Sequence, residues 1–207
     1  SLYKKLKSLD WDENEFDYSA CNTEFKKCSK SVYDIMIRTL AWQWEADSVV
    51  ARKILGILSS FITSDELYAA MTEVCKNEIV HALTYSEIVR VSFDNPDSVM
   101  EDILKETEPL QRLKTVTDSI NEAYLISHKY ALGEIDNNQE TYNAVFMLFC
   151  TLLVLERIQF MSSFAVTFSM ADAGMFVPIA NAVQKICQDE FEIHCKIDLE
   201  VINNELK

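Results

Sequence analysis

Glycine and proline are scarce in this sequence, which contains only three residues of each among 207. An all-β sandwich or barrel needs many tight turns, and a long disordered linker is usually rich in both residue types. Hydrophobic residues make up 49% of the chain, which is enough to bury a sizeable core. The sequence therefore predicts an all-α protein with several long helices.

Apolar residues recur at spacings of three and four along most of the chain, as in helices that bury one face. Asn95-Pro96 and Gly133 interrupt this pattern and mark boundaries between helices. We expect residues 1–207 to form a single domain, on which the polar residues 1–30 lie as an irregular arm. The predicted helices cover residues 32–61, 97–107, 109–132, 140–170 and 176–204, and a further one starts between 63 and 66 and ends near 92.

The chain is acidic, with 33 acidic against 19 basic residues and a net charge of −14. Such a charge argues against phosphate backbones and anionic membrane surfaces as the main partners. The sequence has no apolar signal segment at its start and no run of 18 apolar residues. Its six cysteines lack the CxxC spacing of zinc sites, as expected for reduced thiols. These features favour a soluble cytoplasmic protein that binds neither nucleic acid nor a membrane.

Acidic residues interrupt the apolar stripes of four predicted helices. Leaving a carboxylate unpaired in a dry core is costly, and these stripes contain no lysine or arginine to compensate it. Carboxylates combined with imidazoles suit two adjacent iron or manganese ions, an arrangement known from ferritin-like bundles. The sequence therefore predicts a ferritin-like helical bundle with a di-metal carboxylate site in its core. The predicted ligands are Asp47, Glu78, His81, Glu156, Glu190 and His194.

Five segments resemble the small, radical-generating subunit of class I ribonucleotide reductase, and the resemblance covers nearly the whole chain. They read LDWDENEFD, AWQWEADS, NEIVHALTYSEIVR, LERIQFMSSF and KICQDEFEIH. The resemblance implies that Tyr85 bears the radical, and that Trp11 and Asp189 form an electron relay toward His81. The apolar wall around the radical would consist of Phe160, Phe164 and Ile186.

The resemblance also implies a function. Small subunits of this family are homodimers that bind a large catalytic subunit. With dioxygen and two metal ions they make an oxidant, which the large subunit uses to reduce ribonucleotides to deoxyribonucleotides. Tyr85 would store this oxidant as a radical, or would be only a packed core phenol. We expect the family's flexible C-terminal tail to be missing from this chain.

The last ligand motif departs from the family pattern by one residue. The family has ExxH, whereas here Glu190 precedes His194 by four residues. On a helix, Glu190 lies about 40° from His194 around the axis, but Glu192 lies about 160° away. We therefore assign Glu190 as the ligand, keep Glu192 as the alternative, and expect a π-bulge to absorb the extra residue.

Three other functions compete with this interpretation. A stand-alone di-metal oxidase or oxygenase would use the same ligands but would not need a relay from Trp11. A ferritin-type storage protein would share the ligands and assemble as a cage. A purely structural bundle would leave four core carboxylates without compensation.

Overall fold

The structure, a computed structural model, describes residues 1–105 and 107–206; the side chains of residues 107–110 and 112 lie outside this description. All regular structure in the described ranges is helical, as predicted. The elements are α1 (Leu2–Ser8), α2 (Ser19–Lys27), α3 (Lys30–Leu58), α4 (Asp65–Ser92), α5 (Pro96–Lys105), α6 (Thr107–Ala131), α7 (Gln139–Val154), π1 (Leu155–Gln159), α8 (Phe160–Asp172), α9 (Val177–Asp189), π2 (Glu190–His194), α10 (Cys195–Glu200) and π3 (Val201–Glu205).

The long helices of the first half begin and end close to where the apolar spacing placed them. The helix α3 corresponds to the predicted helix over 32–61, and α4 to the next one. Ser64 caps α4, because its hydroxyl accepts a hydrogen bond from the backbone N–H of Leu67 (3.3 Å). The helix predicted over 97–107 corresponds to α5, and its predicted end lies beyond Glu106, which is outside the described residues.

The last two predicted helices, over residues 140–170 and 176–204, are not continuous α-helices, which corrects that expectation. The segment π1 separates α7 from α8, while π2 and π3 flank α10. A π-helix closes its hydrogen bonds over one more residue than an α-helix, so one extra residue fits into a turn. Apolar spacing averages over several turns and does not detect so short a change. Only π2 was predicted, from the extra residue before His194.

The N-terminal 30 residues are more regular than expected. They contain α1 and α2, so the prediction of an irregular arm was wrong for these two stretches. Both helices are short, and helical periodicity is hard to recognise over so few residues. Leu6, Trp11, Tyr18 and Cys21 are buried, and both helices pack against α4. This segment therefore contributes side chains to the core.

The core lies between α3, α4 and the interrupted helices of the second half. The helix α3 packs along both α4 and α6, α6 packs against α7, and α8 packs against α9. One cluster of buried apolar side chains runs through these elements, from Leu40 on α3 to Phe149 on α7 and Val183 on α9. The packing turns the inner faces of α3, α4, π1 and π2 toward one another.

The segment Gln139–Asp172, which comprises α7, π1 and α8, is long enough to cross a membrane and contains an apolar window of 18 residues with a mean hydropathy of 1.8. Length and composition alone do not separate such a span from a core helix. In this bundle Phe149, Leu152 and Glu156 of the segment are buried in the core. We interpret the segment as a core helix that carries a polar residue inward.

We expect Ile54→Ala to lower the free energy of unfolding by about 2–5 kcal/mol, because Ile54 on α3 is fully buried. Ile35 lies on the same helix but is 42% exposed, so Ile35→Ala is the matched control. This control should change stability by less than about 1 kcal/mol. Urea unfolding followed by circular dichroism measures both variants. Equal losses of stability in the two variants would contradict the conclusion that α3 buries the face that carries Ile54.

Candidate di-metal centre

Six side chains that the sequence predicted as ligands meet in the centre of the bundle, and each is at most 2% exposed. Four separate helical segments supply them, so the centre exists only when the bundle is packed. These side chains are Asp47 on α3, Glu78 and His81 on α4, Glu156 on π1, and Glu190 and His194 on π2.

The six side chains form two groups, and in each group the ligand atoms lie within 4.8 Å of one another. The groups share Glu78 and Glu190, so these two carboxylates would contribute to both sites if metal ions were bound. Each group combines three carboxylates with one imidazole. The first group, site A, consists of Asp47, Glu78, His81 and Glu190, and the second, site B, of Glu78, Glu156, Glu190 and His194.

The centre contains buried polar atoms that the protein itself does not satisfy. Within the described residues, both carboxylate oxygens of Asp47, both of Glu190 and one of Glu156 accept no hydrogen bond. Such atoms are costly in an apolar core unless a partner meets them. Carboxylate oxygens together with imidazole nitrogens are a donor set that suits iron or manganese. The residues present therefore fit a pair of metal ions.

Burial and neighbouring charges shift the ionisation of these groups in opposite directions. Desolvation, and next the charge of Glu78, raise the pKa of Asp47 well above its usual value. Desolvation also raises the pKa of Glu190, but His194 and His81 outweigh it and bring this pKa to about 2. Desolvation lowers the pKa of His194, but Glu190 and Glu78 outweigh it and raise this pKa to about 10. Metal binding would therefore displace protons from the imidazoles.

His81 links the centre to the N-terminal segment. Its Nδ1 faces Glu190 (3.2 Å), and its Nε2 lies 3.2 Å from Oδ2 of Asp189. The indole N–H of Trp11 donates to the same Asp189 oxygen (2.7 Å), and the Trp11 ring stacks beside His81 with 5.9 Å between the ring centroids. A carboxylate behind the second ring nitrogen commonly fixes the tautomer and orientation of a metal-binding histidine. The residues predicted as a relay are thus in direct contact.

Tyr85 on α4 is fully buried. Desolvation, followed by the charge of Asp47, raises its pKa well above its usual value, so the phenol keeps its proton. Its hydroxyl has no hydrogen-bond partner in the part of the chain that the structure describes. Phe160, Phe164 and Ile186 belong to the same buried cluster as Tyr85, and the two phenylalanine rings stack at 5.5 Å. Because Tyr85 is fully buried, solvent does not reach its phenol.

The structure separates the two candidate glutamates of π2. Glu190 is fully buried in the centre, whereas the side chain of Glu192 is 39% exposed. Glu192 instead forms ion pairs with Lys5 (3.2 Å) and Lys196 (2.7 Å). The predicted π-bulge is confirmed, because residues Glu190–His194 form π2. The geometry therefore favours Glu190 over Glu192 as a ligand.

Two buried polar residues in this region escaped the sequence analysis. Asp198 on α10 is buried, and desolvation raises the pKa of Asp198 to about 8. Gln43 on α3 is fully buried, and its amide donates to Oγ of Ser163 (3.0 Å). Asp198 and Gln43 each lie one helical turn from a predicted ligand. A search for polar residues at that offset would have found both.

This fold and this donor set define a ferritin-like di-metal carboxylate protein. The family model "Ribonucleotide reductase, small chain" matches residues 1–207. The chain belongs to the family of ribonucleotide reductase small chains.

Individual relatives are distant in sequence. The beta subunit of ribonucleoside-diphosphate reductase 1 from Salmonella typhimurium is 24% identical over 200 residues, which cover 91% of this chain and 53% of that protein. The ribonucleotide reductase R2 subunit from Clostridium botulinum has a TM-score of 0.79 at 18% identity, over 98% of this chain and 60% of that one. An R2-like ligand-binding oxidase with a Mn/Fe cofactor has a TM-score of 0.78 at 14% identity, over 97% and 67%. The chain thus spans about half the length of the curated relatives it matches.

We expect Glu156→Ala to remove the ion of site B and to keep that of site A, because Glu156 belongs to site B alone. Elemental analysis after anaerobic loading with iron or manganese should then find about one ion per chain in place of about two. Glu192→Ala removes a surface carboxylate of the same helical segment and should keep both ions. Full metal content in Glu156→Ala, or a loss in Glu192→Ala, would contradict the ligand assignment.

Proposed function

We propose that this chain is the radical-generating core of a class I ribonucleotide reductase small subunit. The single observation that carries this proposal is the contact path from His81 through Asp189 to Trp11. A centre that only stores iron, or oxidises a molecule bound beside it, has no use for such a path. Membership of the small-chain family supports the same function.

We infer that sites A and B hold two iron ions, two manganese ions or one of each. The donor set suits both metals, and the order of affinities alone does not select between them. Four ligand carboxylates balance the charge of two divalent ions, so the loaded core would be close to neutral. When bound, the two ions would supply the oxidising chemistry with dioxygen.

The role proposed for Tyr85 is to give up one electron and its phenolic proton, and so to store the oxidant. The proton would pass to a carboxylate of the centre, and Asp47 is the carboxylate whose charge acts most strongly on Tyr85. The buried aromatic wall of Phe160 and Phe164, together with Ile186, would keep water from the oxidised ring. The competing interpretation, in which Tyr85 is only a packed phenol, lacks this redox step.

The role proposed for Trp11 and Asp189 is to pass an electron between the centre and the partner protein. One oxygen of Asp189 contacts both the indole N–H of Trp11 and Nε2 of His81, which fixes the two rings relative to each other. The stacked arrangement of these rings keeps the path short. When the Trp11 ring has given up an electron it carries a positive charge, which the Asp189 carboxylate would stabilise.

The partner that this function requires is a large catalytic subunit, and we expect the small subunit to be a homodimer in the cytoplasm. Family membership supports the large-subunit partner and the homodimer. The six free cysteines fit a reducing compartment. We treat residues 1–207 as one ferritin-like domain, because the N-terminal segment adds buried side chains to the bundle. A net charge of −14 argues against nucleic acid or an anionic membrane as partner.

A stand-alone di-metal oxidase is the second candidate function. The R2-like ligand-binding oxidase shares the fold with a TM-score of 0.78, so the fold alone does not separate the two functions. Such an enzyme would use sites A and B but would need no large subunit. The relay through Trp11 is therefore the feature that discriminates between them.

Tyr85→Phe should abolish the organic radical signal in electron paramagnetic resonance and keep both ions, because phenylalanine preserves the packing but lacks the oxidisable hydroxyl. The spectrum is recorded after metal loading and exposure to the oxidant. Tyr18→Phe is the matched control, since Tyr18 is another buried tyrosine, and it should keep the signal. Full reductase activity of Tyr85→Phe with the matching large subunit would refute the tyrosyl-radical mechanism while leaving the reductase assignment intact.

Trp11→Phe should keep both ions and the radical signal but reduce reductase activity with the matching large subunit to background. The reason is that phenylalanine cannot donate to Asp189 and is much harder to oxidise than an indole. Trp44→Phe changes a tryptophan of α3 outside the relay and should keep activity. Oxidation of a small molecule without any large subunit, undiminished in Trp11→Phe, would favour the stand-alone oxidase instead.

A further inference from the structure

Gln43 is an uncharged polar residue of α3 that is completely buried one helical turn before Asp47. Its amide nitrogen donates to Oγ of Ser163 on α8 (3.0 Å), but its amide oxygen has no hydrogen-bond partner among the described residues. A buried polar atom without a partner lowers stability, and an apolar side chain of similar size would avoid this cost. Proteins commonly accept such a cost where the polar side chain serves a functional site.

The hydrogen bond of Gln43 continues through Ser163 into the backbone of α8. The hydroxyl of Ser163 donates to the carbonyl of Phe160 (2.8 Å), so two consecutive hydrogen bonds run from α3 to the first residue of α8. The roles are consistent, because the Ser163 oxygen accepts from Gln43 while its single hydrogen goes to Phe160. Consecutive hydrogen bonds strengthen one another in a low-dielectric interior. Gln43 thus fixes the Ser163 hydroxyl and, through it, the start of α8.

A second contact from α3 holds the same turn of α8. The ring of Trp42, which directly precedes Gln43, meets the ring of Phe160 edge to face, with 5.0 Å between the centroids. Phe160 in turn stacks on Phe164 (5.5 Å). Neighbouring residues of α3 therefore hold both the backbone and the ring of Phe160. Phe160 and Phe164 are two of the side chains to which the proposed function gives the shielding of Tyr85.

We propose that Gln43 is a positioning residue for the aromatic wall beside Tyr85. Through Ser163 it holds Phe160, and with it Phe164, in the position that keeps small molecules away from the oxidised phenol. This inference rests on the proposed radical at Tyr85. Gln43 belongs to neither site A nor site B, so its replacement should leave both ions in place.

The first readout is the fluorescence of Trp42, which reports the position of Phe160 in the metal-free protein. The chain contains three tryptophans, and in this background Trp11 and Trp44 are both changed to phenylalanine. Trp42 is only 6% exposed, so it should emit at short wavelength. Adding Gln43→Leu, which keeps the size but cannot donate, should shift the emission to longer wavelength because Phe160 moves away from the indole. Gln43→Ala replaces Gln43→Leu if circular dichroism shows that the leucine variant does not fold.

Two variants of Ser163 isolate the contribution of its hydroxyl. Ser163→Thr keeps a hydroxyl that can bond the carbonyl of Phe160 and accept from Gln43, whereas Ser163→Val has the shape of threonine without that hydroxyl. Ser163→Thr should therefore resemble the parent, and Ser163→Val should shift the emission of Trp42 as Gln43→Leu does. Adding Gln43→Leu to Ser163→Val should cause no further shift, because Gln43 acts only through this hydroxyl.

The second readout is the lifetime of the organic radical in the chain with its own three tryptophans. After metal loading and exposure to the oxidant, Gln43→Leu and Ser163→Val should keep both ions. They should lose the electron paramagnetic resonance signal faster than wild type or Ser163→Thr. Ser127→Ala is the control for a general loss of stability, because it removes another buried hydroxyl, which donates to the carbonyl of Ile57 on α3 (3.0 Å). It should lower the thermal unfolding temperature without changing the emission of Trp42 or the radical lifetime.

The outcomes distinguish this inference from the function on which it rests. An unchanged emission of Trp42 in Gln43→Leu would overturn the positioning role, and so would equal shifts in Ser163→Thr and Ser163→Val. A shifted emission combined with an unchanged radical lifetime would overturn the shielding of Tyr85. The absence of any radical in the wild type would overturn the proposed function of Tyr85, and the emission of Trp42 would then decide by itself whether Gln43 positions Phe160.

Discussion

The burial of six carboxyl groups in an apolar helical core is the constraint on which the rest of this structure depends. Such groups destabilise a core unless charge or hydrogen bonds compensate them. In the described chain the buried compensation comes from two imidazoles and one indole N–H, since every described lysine and arginine side chain reaches solvent to some degree. Two divalent ions would complete it. The buried carboxyl groups are Asp47, Glu78, Glu156, Asp189, Glu190 and Asp198.

Two of the π-helical segments adapt ordinary helices to this centre. The segment π1 begins one residue before Glu156, and π2 begins at Glu190. Each segment therefore supplies the turn that carries a carboxylate of site B. The two segments also touch at the surface, where the guanidinium of Arg157 lies 3.5 Å from the ring centroid of Phe191. These two residues directly follow Glu156 and Glu190 in the sequence. A cation–π contact at an exposed site contributes about 0.5–1 kcal/mol. It connects the segments from outside, while His194 lies between their carboxylates inside.

The proposed relay depends on packing outside the metal centre. Trp11 lies in an N-terminal segment that holds to the bundle through buried side chains such as Leu6 and Tyr18. Surface ion pairs add contacts, including Asp10 with Lys76 (2.7 Å) and Lys5 with Glu192. Exposed pairs contribute little, so apolar burial is the main attachment. The reductase and oxidase interpretations use the same ligands, and the position of this segment is what separates them.

The sequence by itself determined the helical class, the long helices of the first half and the six candidate ligands. A carboxylate or histidine inside an apolar stripe is a local signal, because the helical period alone assigns it to the buried face. The sequence also predicted π2, since one surplus residue lay between Glu190 and His194. The two helices of the N-terminal segment were too short to leave a periodic signal.

Only the tertiary structure decided which ligands the two sites share, how Trp11 reaches Asp189, and how His194 comes to face Glu78. Each of these contacts joins helices that are distant along the chain. Their geometry follows from how α3, α4 and the interrupted helices pack, which the period of a single helix does not contain. Local pattern therefore specifies the chemistry of the site, and packing specifies its geometry.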